Sequence, residues 1–187
     1  MIIGITGTNG AGKGTVVDYL VRRKGFKHYS VRNFLNEEIM RLGLVKDRGT
    51  MLLVGNDLRT KHGSGYIAEQ LLARAQQDGG SAVIESVRSL GEANHLKENG
   101  ALLWAVDASM PLRYQRILGR MSETDRIPYE RFVADEAAEI DNAETTKPNL
   151  RGVMAMCDTV LTNDGSQEEL YVQVEQALKK VHNRFDL

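Results

Sequence analysis

The sequence predicts an α/β fold in which helices cover both faces of a parallel β-sheet. Short apolar runs alternate along the chain with longer segments of helical periodicity, and this alternation is typical of strand–helix–strand units. Three of the runs are dense in Val, Ile or Leu, as expected of strands that are covered on both faces. The predicted strands are 2–6, 27–30, 82–85, 102–107 and 159–162.

The segments between these runs are predicted to be helical. The last of them carries the clearest signals, because Ser166 and Glu169 have the spacing of a capping box. Apolar residues then repeat at helical spacing on one face: Leu170, Val174, Leu178 and Val181. The segments 122–128 and 142–151 are expected to be surface loops. The predicted helices are 13–23, 31–42, 51–62, 65–77, 90–99, 111–121, 129–143 and 167–182.

Length and composition fit one domain, since the chain has 187 residues and is 42% hydrophobic. The 24 basic and 25 acidic residues give a formal net charge of -1, which disfavours a protein that binds duplex nucleic acid. With one cysteine, Cys157, neither an intramolecular disulfide nor a cysteine zinc cluster is expected. No signal peptide or membrane-spanning stretch is recognised, so we expect a cytoplasmic protein without a membrane partner. The sequence leaves the oligomeric state open.

The segment between the first strand and the first helix indicates a phosphate-binding loop. Glycines let backbone N–H groups turn toward phosphate oxygens without obstruction by a Cβ atom, and the helix N-terminus adds unpaired N–H groups. Lys13 is expected to bring a mobile charge to the β- and γ-phosphates of ATP. A glycine-rich hairpin is the alternative, and the strand–helix context argues against it. The loop residues are Gly7, Thr8, Asn9, Gly10, Ala11, Gly12, Lys13, Gly14 and Thr15.

One detail separates this loop from the usual pattern, because Gly14 stands between Lys13 and Thr15. The order Gly-Xaa-Xaa-Gly-Xaa-Gly-Lys-Gly-Thr resembles the loop of nucleoside monophosphate kinases, adenylate kinase among them. The resemblance implies a three-layer α/β/α P-loop kinase fold with a five-stranded parallel sheet and ATP as the phosphoryl donor. In that family Mg²⁺ is held largely through water and phosphates. Thr15 is therefore expected to bind phosphate, and to contact the metal only through water.

The same resemblance implies one kinase domain over residues 1–187. Its acceptor-binding helices would lie at about 31–78, and a short helical lid at about 119–128. A zinc cluster like that of some adenylate kinase lids is not expected, because the chain has only Cys157.

A carboxylate and an arginine follow the third predicted strand. Glu85 ends the strand and Arg88 comes three residues later. Ligands of open parallel sheets bind at the carboxyl ends of the strands, so Glu85 is expected to face the phosphate loop. There it would hold magnesium-bound water or accept a proton, and Arg88 would clamp a phosphate. The alternatives are a helix-capping acid and a solvated arginine.

Residues 83–94 resemble the Ile-Asp-Xaa-Xaa-Arg-Xaa-Xaa-Xaa-Glu segment of the dephospho-CoA kinase-like and phage-type deoxynucleotide kinase families. They also resemble a group of archaeal and bacterial nucleotide kinase-like proteins. Glu85 stands where Asp is commoner. Deoxynucleoside kinases also use Glu at this point, which keeps a nucleoside acceptor open.

The passage from the second strand into the next helix resembles the segment that opens the acceptor site of monophosphate kinases with Ser, a turn and Asp. Ser30 and Arg32 are expected near the acceptor phosphate or sugar. Asn33 falls where that family often has Asp. Because an amide cannot act as a base, the role of proton acceptor shifts to Glu85.

A later helix is expected to flank the same acceptor pocket. Asn56 and Arg59 are i,i+3 neighbours and share a helix face, which makes Arg59 a second candidate for the acceptor phosphate. Tyr66 and Gln70 complete the predicted acceptor set. Arg32 and Arg59 could equally be surface arginines.

Three arginines form one helix stripe, Arg113, Arg116 and Arg120, and Arg126 follows in the predicted lid. In monophosphate and dephospho-CoA kinases, an arginine-bearing helix and a short lid close over the triphosphate at this place. Arg116, Arg120 and Arg126 are accordingly expected to offset the charge of the transferring phosphoryl group. The alternative is a solvated arginine face.

The segment 157–166 resembles the last strand and turn of dephospho-CoA kinases, where the loop packs on adenine. Asn163 and Gly165 are the matching positions, although a simple Asn-Asp-Gly turn explains them equally well. Two groups of polar residues are assigned no role. The histidines are expected to be surface or internally satisfied residues, and an acidic helix face is expected to be solvated. These residues are His28, His62, His95 and His182, and Asp135, Glu136, Glu139 and Asp141.

These motifs favour phosphoryl transfer from ATP·Mg²⁺ to a small nucleotide, first of all a nucleoside or deoxynucleoside monophosphate. Dephospho-CoA kinase is the alternative within the same class. It requires a base near the second strand, and no Asp lies between Phe26 and Leu35. A nucleotide-hydrolysing switch is the alternative from another class, and a nucleic-acid end kinase is disfavoured by the charge balance.

Overall fold

A five-stranded, wholly parallel sheet lies at the centre of the structure, a computed structural model that describes residues 1–119, 128–144 and 147–185. The strand order is β2-β3-β1-β4-β5, so the first strand lies in the middle of the sheet. The predicted strands are confirmed, and only β1 is longer than predicted, by one residue. They are β1 Ile2–Gly7, β2 Lys27–Ser30, β3 Ala82–Glu85, β4 Leu102–Asp107 and β5 Thr159–Thr162.

Helices connect the strands, and their boundaries follow local capping chemistry. The third helix begins at Arg48 rather than at residue 51, because the Asp47 carboxylate accepts a hydrogen bond from the Thr50 N–H at 2.8 Å. The predicted capping box of the last helix is confirmed, since the Ser166 N–H donates to Glu169 Oε2 at 2.8 Å. The bounds are α1 Lys13–Lys24, α2 Val31–Arg41, α3 Arg48–His62, α4 Tyr66–Asp78, α5 Leu90–Glu98, α6 Met110–Leu118, α7 Tyr129–Ile140, α8 Leu150–Ala155 and α9 Gln167–Phe185.

Helix α8 begins inside the segment 142–151, which the sequence predicts to be a loop, and its last four residues were assigned to no element. Its six residues are too few for a helical repeat to show in the sequence, and its N-cap is a side-chain contact. The Asn149 side chain accepts a hydrogen bond from the Gly152 N–H at 2.8 Å. The buried Leu150 and Val153 pack this turn against the rest of the chain.

Two hydrophobic clusters cover the two faces of the sheet, which confirms the three-layer α/β/α architecture. In one cluster, helices α2, α3, α4 and α5 pack on the face of the sheet that carries Ile84 and Leu103. The other joins α1 and α9 to the opposite face, where Trp104 is completely buried. Each fully buried aliphatic side chain stabilises the fold by roughly 1.5–3 kcal/mol, so the sheet is a rigid platform for whatever lies at its edges.

All five strands point the same way, so their carboxyl ends meet at one edge. Glu85 at the end of β3 pairs in register with Ile5 of β1 and with Ser30 of β2. Gly7 of β1 pairs with Val106 of β4. The predicted functional segments that follow these strands are therefore neighbours in space. None of the helices in the described ranges has the length and apolar character needed to cross a membrane.

Candidate functional site

The loop after β1 adopts a conformation that requires glycine. Gly7, Gly10 and Gly12 have φ angles of 135°, 82° and 99°, a region that side chains with a Cβ rarely adopt. Space excludes larger residues as well, because a Cβ on Gly7 would lie 2.0 Å from the Val106 carbonyl oxygen. One on Gly10 would lie 2.5 Å from the Arg113 carbonyl oxygen. The glycine spacing in the sequence thus reflects close backbone packing as well as access to phosphate.

Lys13 opens α1 and folds back over the loop. Its Nζ donates to the carbonyl oxygens of Gly7 and Thr8, both at 2.8 Å. Gly12, the N-cap of α1, has a left-handed conformation, so the first N–H groups of the helix face the loop without a side-chain cap between. A lysine ammonium and a helix N-terminus together form a site that suits an anion such as a phosphate.

Asp107 ties this loop to the neighbouring strand, and the sequence reasoning missed it. The Thr8 hydroxyl donates to Asp107 Oδ1 at 2.7 Å. Asp107 ends β4 as Glu85 ends β3, so its place at the carboxyl edge of the sheet was a signal that could have found it. The contact holds the start of the loop against β4.

Asn163 links the loop to the turn after β5. Its Nδ2 donates to the Ala11 carbonyl oxygen at 2.7 Å. Arg116 Nη1 donates to the Asn163 carbonyl oxygen at 2.9 Å, so the predicted charge-offsetting arginine lies beside the same residue. A groove of about 300 Å³ opens here, within the size range of ligand sites. It is lined by Gly10, Gly12, Thr15, Arg116, Asn163, Gly165, Gln167 and Leu170.

Glu85 lies where its place at the end of β3 predicts, and it is held in the ionised form. His28 Nε2 lies 2.9 Å from Glu85 Oε2, and this hydrogen bond lowers the pKa of the Glu85 carboxyl group below its usual range. Burial opposes that shift, and the charges of Lys13 and Arg32 add to it. The carboxylate at the end of β3 therefore lies within electrostatic reach of a lysine from the phosphate loop and of an arginine from α2.

The backbone after Glu85 is strained. Ser86 has a φ of 73°, and among the described residues it alone combines a positive φ with a side chain larger than hydrogen. The N–H groups of Ser86 and Val87 both donate to the Ile5 carbonyl oxygen, at 3.0 and 3.1 Å. This turn fixes the direction in which the chain leaves β3.

Arg59 does not face an open acceptor pocket, and the structure corrects this prediction. Its guanidinium donates to Glu92 Oε1 from Nε at 3.0 Å and from Nη2 at 2.7 Å, and the residue is only 5% exposed. The other Glu92 oxygen accepts from the Arg88 N–H at 2.9 Å and from the Ser89 N–H at 3.1 Å. Arg59 and Glu92 form a buried ion pair that joins α3 to the first turn of α5.

Helix α7 presents carboxylates to two site arginines, so the expectation of a merely solvated acidic face was wrong. Glu139 pairs with Arg88, the predicted phosphate clamp. Glu136 pairs with Arg113, with Arg113 Nη2 and Glu136 Oε1 2.8 Å apart. Arg113 also donates to the Ala108 carbonyl oxygen at 2.8 Å and is buried. Arg113 therefore anchors α6, whereas Arg116 on the same helix reaches the groove.

The remaining predicted acceptor residues lie around the start of α2 and along α3 and α4. Ser30 caps α2 by accepting from the Asn33 N–H at 3.4 Å, while the side chains of Arg32 and Asn33 are exposed. The Asn56 Oδ1 atom is buried and accepts no hydrogen bond from any described residue. Tyr66 stacks on His62 with ring centroids 4.4 Å apart, and Gln70 is half-buried. Of this set, Arg32 brings an exposed positive charge to the edge of the sheet.

Two predicted site residues, Arg120 and Arg126, lie outside the described residues, as does most of the predicted lid at 119–128. Across the described ranges, no cluster of three or more His, Cys, Asp or Glu side chains could hold a metal. The oxygen ligands at this edge include the half-buried Thr15 hydroxyl, the ionised Glu85 carboxylate and the Asp107 carboxylate beside Thr8. Such a sparse set of hard ligands fits Mg²⁺ that is bound mainly by phosphate and water oxygens.

Comparison with known proteins identifies a family and a relative of similar length. The family model described as "AAA domain" matches residues 3–147. A UPF0200 protein of Thermococcus gammatolerans is 28% identical over 188 residues, which cover 97% of this chain and 95% of that protein.

Solved structures share the fold. The shikimate kinase of Acinetobacter baumannii in complex with shikimate superposes with a TM-score of 0.59 at 15% identity, covering 98% of this chain and 94% of that one. A gluconokinase of Sinorhizobium meliloti superposes with a TM-score of 0.56 at 14% identity, covering 98% and 96%. At such identities the likeness is one of fold.

Proposed function

The chain belongs to the AAA domain family, and from this premise and the geometry of the site we propose that it is a small-molecule kinase. It transfers the γ-phosphoryl group of ATP to a small acceptor, first of all a nucleoside or deoxynucleoside monophosphate. The observation that carries the proposal is the geometry at the carboxyl edge of the sheet, where Lys13 folds over the glycine loop at the start of α1 and Glu85 ends the neighbouring strand β3. The fold it shares with a shikimate kinase and a gluconokinase supports the reaction class.

In this proposal the donor lies along the loop and the groove. The N–H groups of the loop and Lys13 bind the β- and γ-phosphates, exchanging the contacts of Lys13 Nζ to the carbonyl oxygens of Gly7 and Thr8 for phosphate oxygens. Thr15 binds phosphate at the start of α1. The base end of ATP extends toward Asn163 and Gly165, which line the groove.

The reaction joins an acceptor oxygen to the γ-phosphorus, breaks the bond to the β–γ bridging oxygen and releases ADP. A phosphate acceptor is already anionic and needs no base, so Glu85 then acts by organising water and charge. A hydroxyl acceptor must lose a proton, and the ionised Glu85 carboxylate can accept it. Arg116 offsets charge on the transferring group, and bound magnesium would neutralise the β- and γ-phosphate oxygens.

A second acceptor class has a specific observation in its favour. Two arginines predicted for the acceptor phosphate are neutralised, Arg59 by Glu92 and Arg88 by Glu139. Arg32 is then the exposed positive charge that remains from the predicted acceptor set. A small hydroxylated acceptor with less negative charge than a monophosphate fits such a site.

The test is the rate of ADP formation with and without acceptors. The panel contains nucleoside monophosphates, nucleosides, dephospho-CoA and hydroxylated acids and sugars. Stimulation by monophosphates supports the first acceptor class, and stimulation by phosphate-free hydroxyl compounds alone supports the second. ATP loss that no acceptor accelerates contradicts the kinase proposal and leaves a nucleotide-hydrolysing switch.

The Lys13→Ala variant tests whether the phosphate loop takes part in the reaction. Turnover should fall at least about 100-fold, because an interaction with the transferring phosphates is lost, while the melting temperature stays close to that of the wild type. Lys180→Ala, which removes an exposed lysine of α9, is the control for charge alone. Near-normal turnover of the Lys13 variant would remove the loop from the mechanism.

A further inference from the structure

His28 lies on the edge strand β2, and the structure gives it a neighbour that the sequence does not indicate. Its Nε2 is 2.9 Å from Glu85 Oε2 across the β2–β3 pair. The side chains are 33% and 21% exposed, so the contact lies at the rim of the site and not in free solvent. His28 is thus a surface residue with a hydrogen-bond partner, as expected, and that partner is a predicted site residue.

The strand register explains why these two side chains meet. Ser30 pairs with Glu85, and His28 pairs with Val83, two residues earlier on each strand. Residues two apart on a strand point to the same face, so His28 and Glu85 lie on one face of the sheet. The imidazole reaches along that face to the carboxylate at the strand end.

The contact uses one carboxylate oxygen and leaves the other for the site. His28 holds Oε2, while Lys13 from the loop and Arg32 from α2 act on the same carboxylate electrostatically. A carboxylate held at one oxygen by a fixed donor has its rotamer set before ligands bind. Without that donor, the Glu85 side chain could turn toward either cation.

We propose that His28 is the positioning residue for Glu85, and that its imidazole N–H directs the second carboxylate oxygen toward the phosphate loop. The inference rests on the proposed function, in which Glu85 organises the acceptor side of the reaction. His28 touches neither substrate and acts only through Glu85. It donates from Nε2 both as the neutral Nε2–H tautomer and as imidazolium.

Kinetics of single variants separate positioning from binding. His28→Ala should lower kcat by about 10- to 100-fold, the usual cost of losing an orienting partner, with less than about threefold change in KM for ATP. His28→Gln keeps an amide donor and should recover most of the lost kcat. His182→Ala, at the opposite end of the sheet near Ser81, is the matched histidine control and should match the wild type.

A double variant tests whether His28 acts through Glu85. If it does, His28→Ala combined with Glu85→Gln should be no slower than Glu85→Gln alone, because residues of one unit are not additive. A further multiplicative loss in the double variant would contradict the inference. So would equal losses in His28→Ala and His28→Gln.

A spectroscopic readout works whether or not the protein is active. Long-range ¹H–¹⁵N correlation spectra of the protein without nucleotide should show the protonated-nitrogen signature at His28 Nε2. This signature should change in Glu85→Gln, whereas His182, which contacts the Leu178 carbonyl oxygen, should be unaffected. An unchanged His28 spectrum in Glu85→Gln would overturn the inference.

The two proposals can fail separately. A wild-type protein without acceptor-dependent turnover removes the kinase proposal, and the spectra still decide whether His28 holds Glu85. An active wild type whose His28→Ala variant is equally fast removes the inference about His28 alone.

Discussion

Arg88 and Glu139 form an ion pair that joins the loop after β3 to helix α7. A predicted phosphate-binding guanidinium is thereby held by a protein carboxylate, and both side chains are about one third exposed or less, at 31% and 27%. If Arg88 binds an acceptor phosphate, as the sequence predicts, that phosphate must compete with Glu139, and the ion pair weakens acceptor binding.

Glu139→Gln should weaken this competition. If Arg88 binds the acceptor, we expect the acceptor KM to fall by about threefold to tenfold, equivalent to about 0.7–1.4 kcal/mol of binding free energy. Steady-state kinetics at varied acceptor concentration measure it. Glu130→Gln, an exposed carboxylate on the same helix, is the control. A KM that rises in Glu139→Gln would mean that the pair organises the site and does not obstruct it.

The buried pair of Arg59 and Glu92 should be important for stability. Removing one partner by Arg59→Met or Glu92→Gln leaves an unbalanced buried group, and we expect the free energy of unfolding to fall by about 3–5 kcal/mol. The double variant should lose clearly less than the sum of the two. Urea denaturation measures each value.

The pair of Lys61 and Asp57, on the same helix as Arg59, is the matched exposed control. Its side chains are 63% and 53% exposed, so Lys61→Met should cost less than about 1 kcal/mol. Equal losses at the buried and exposed pairs would show that burial does not govern the stability of α3.

The glycines of the phosphate loop should divide into two classes. Gly7→Ala forces a Cβ to 2.0 Å from a backbone oxygen in a left-handed conformation, so we expect little folded protein. Gly14→Ala adds a methyl group at the start of α1 that meets no atom of the described chain within 4 Å. It should keep or slightly raise the melting temperature, since alanine favours helix. Thermal unfolding of both variants checks this, and a Gly7→Ala protein as stable as the wild type would refute the packing argument.

The pKa of Glu85 predicts one component of acid unfolding. Because folding lowers this pKa, the ionised carboxylate stabilises the folded state above the ordinary pKa of 4.5. That stabilisation is lost as the pH falls through the folded pKa. Between about pH 5 and pH 3, the wild type should lose more free energy of unfolding than Glu85→Gln does. If the free energy of unfolding fell equally with pH in both proteins, the lowered pKa of Glu85 would be contradicted.

The sheet was readily predicted from sequence because each buried strand is a short apolar run between turn signals. The phosphate loop was equally visible, since its glycines and lysine lie within nine consecutive residues, 7–15. Helix α8 was not predicted, because a six-residue helix is too short to show a helical repeat of apolar residues. The spacing of Ser89 and Glu92 was a local capping signal that could have been used, as it was for Ser166 and Glu169.

The ion-pair and hydrogen-bond partners of the charged side chains could not be predicted from the sequence. Arg88 and Glu139 are 51 residues apart in sequence, and Arg59 and Glu92 are 33 apart, so only the packing of helices brings them together. His28 and Glu85 are 57 residues apart and meet through strand register. A sequence reveals which residues carry charge, whereas which charges are already neutralised depends on tertiary structure.

The amide of Asn163 has a consequence for the choice of donor. It grips the Ala11 carbonyl within the phosphate loop while the same residue borders the groove assigned to the base. A purine or pyrimidine base that displaces the Asn163 side chain would break its hydrogen bond to Ala11 and so shift the loop that binds the phosphates of the same nucleotide. Donor discrimination should therefore register in the rate of transfer as well as in affinity, so that GTP and CTP differ from ATP in kcat and not only in KM.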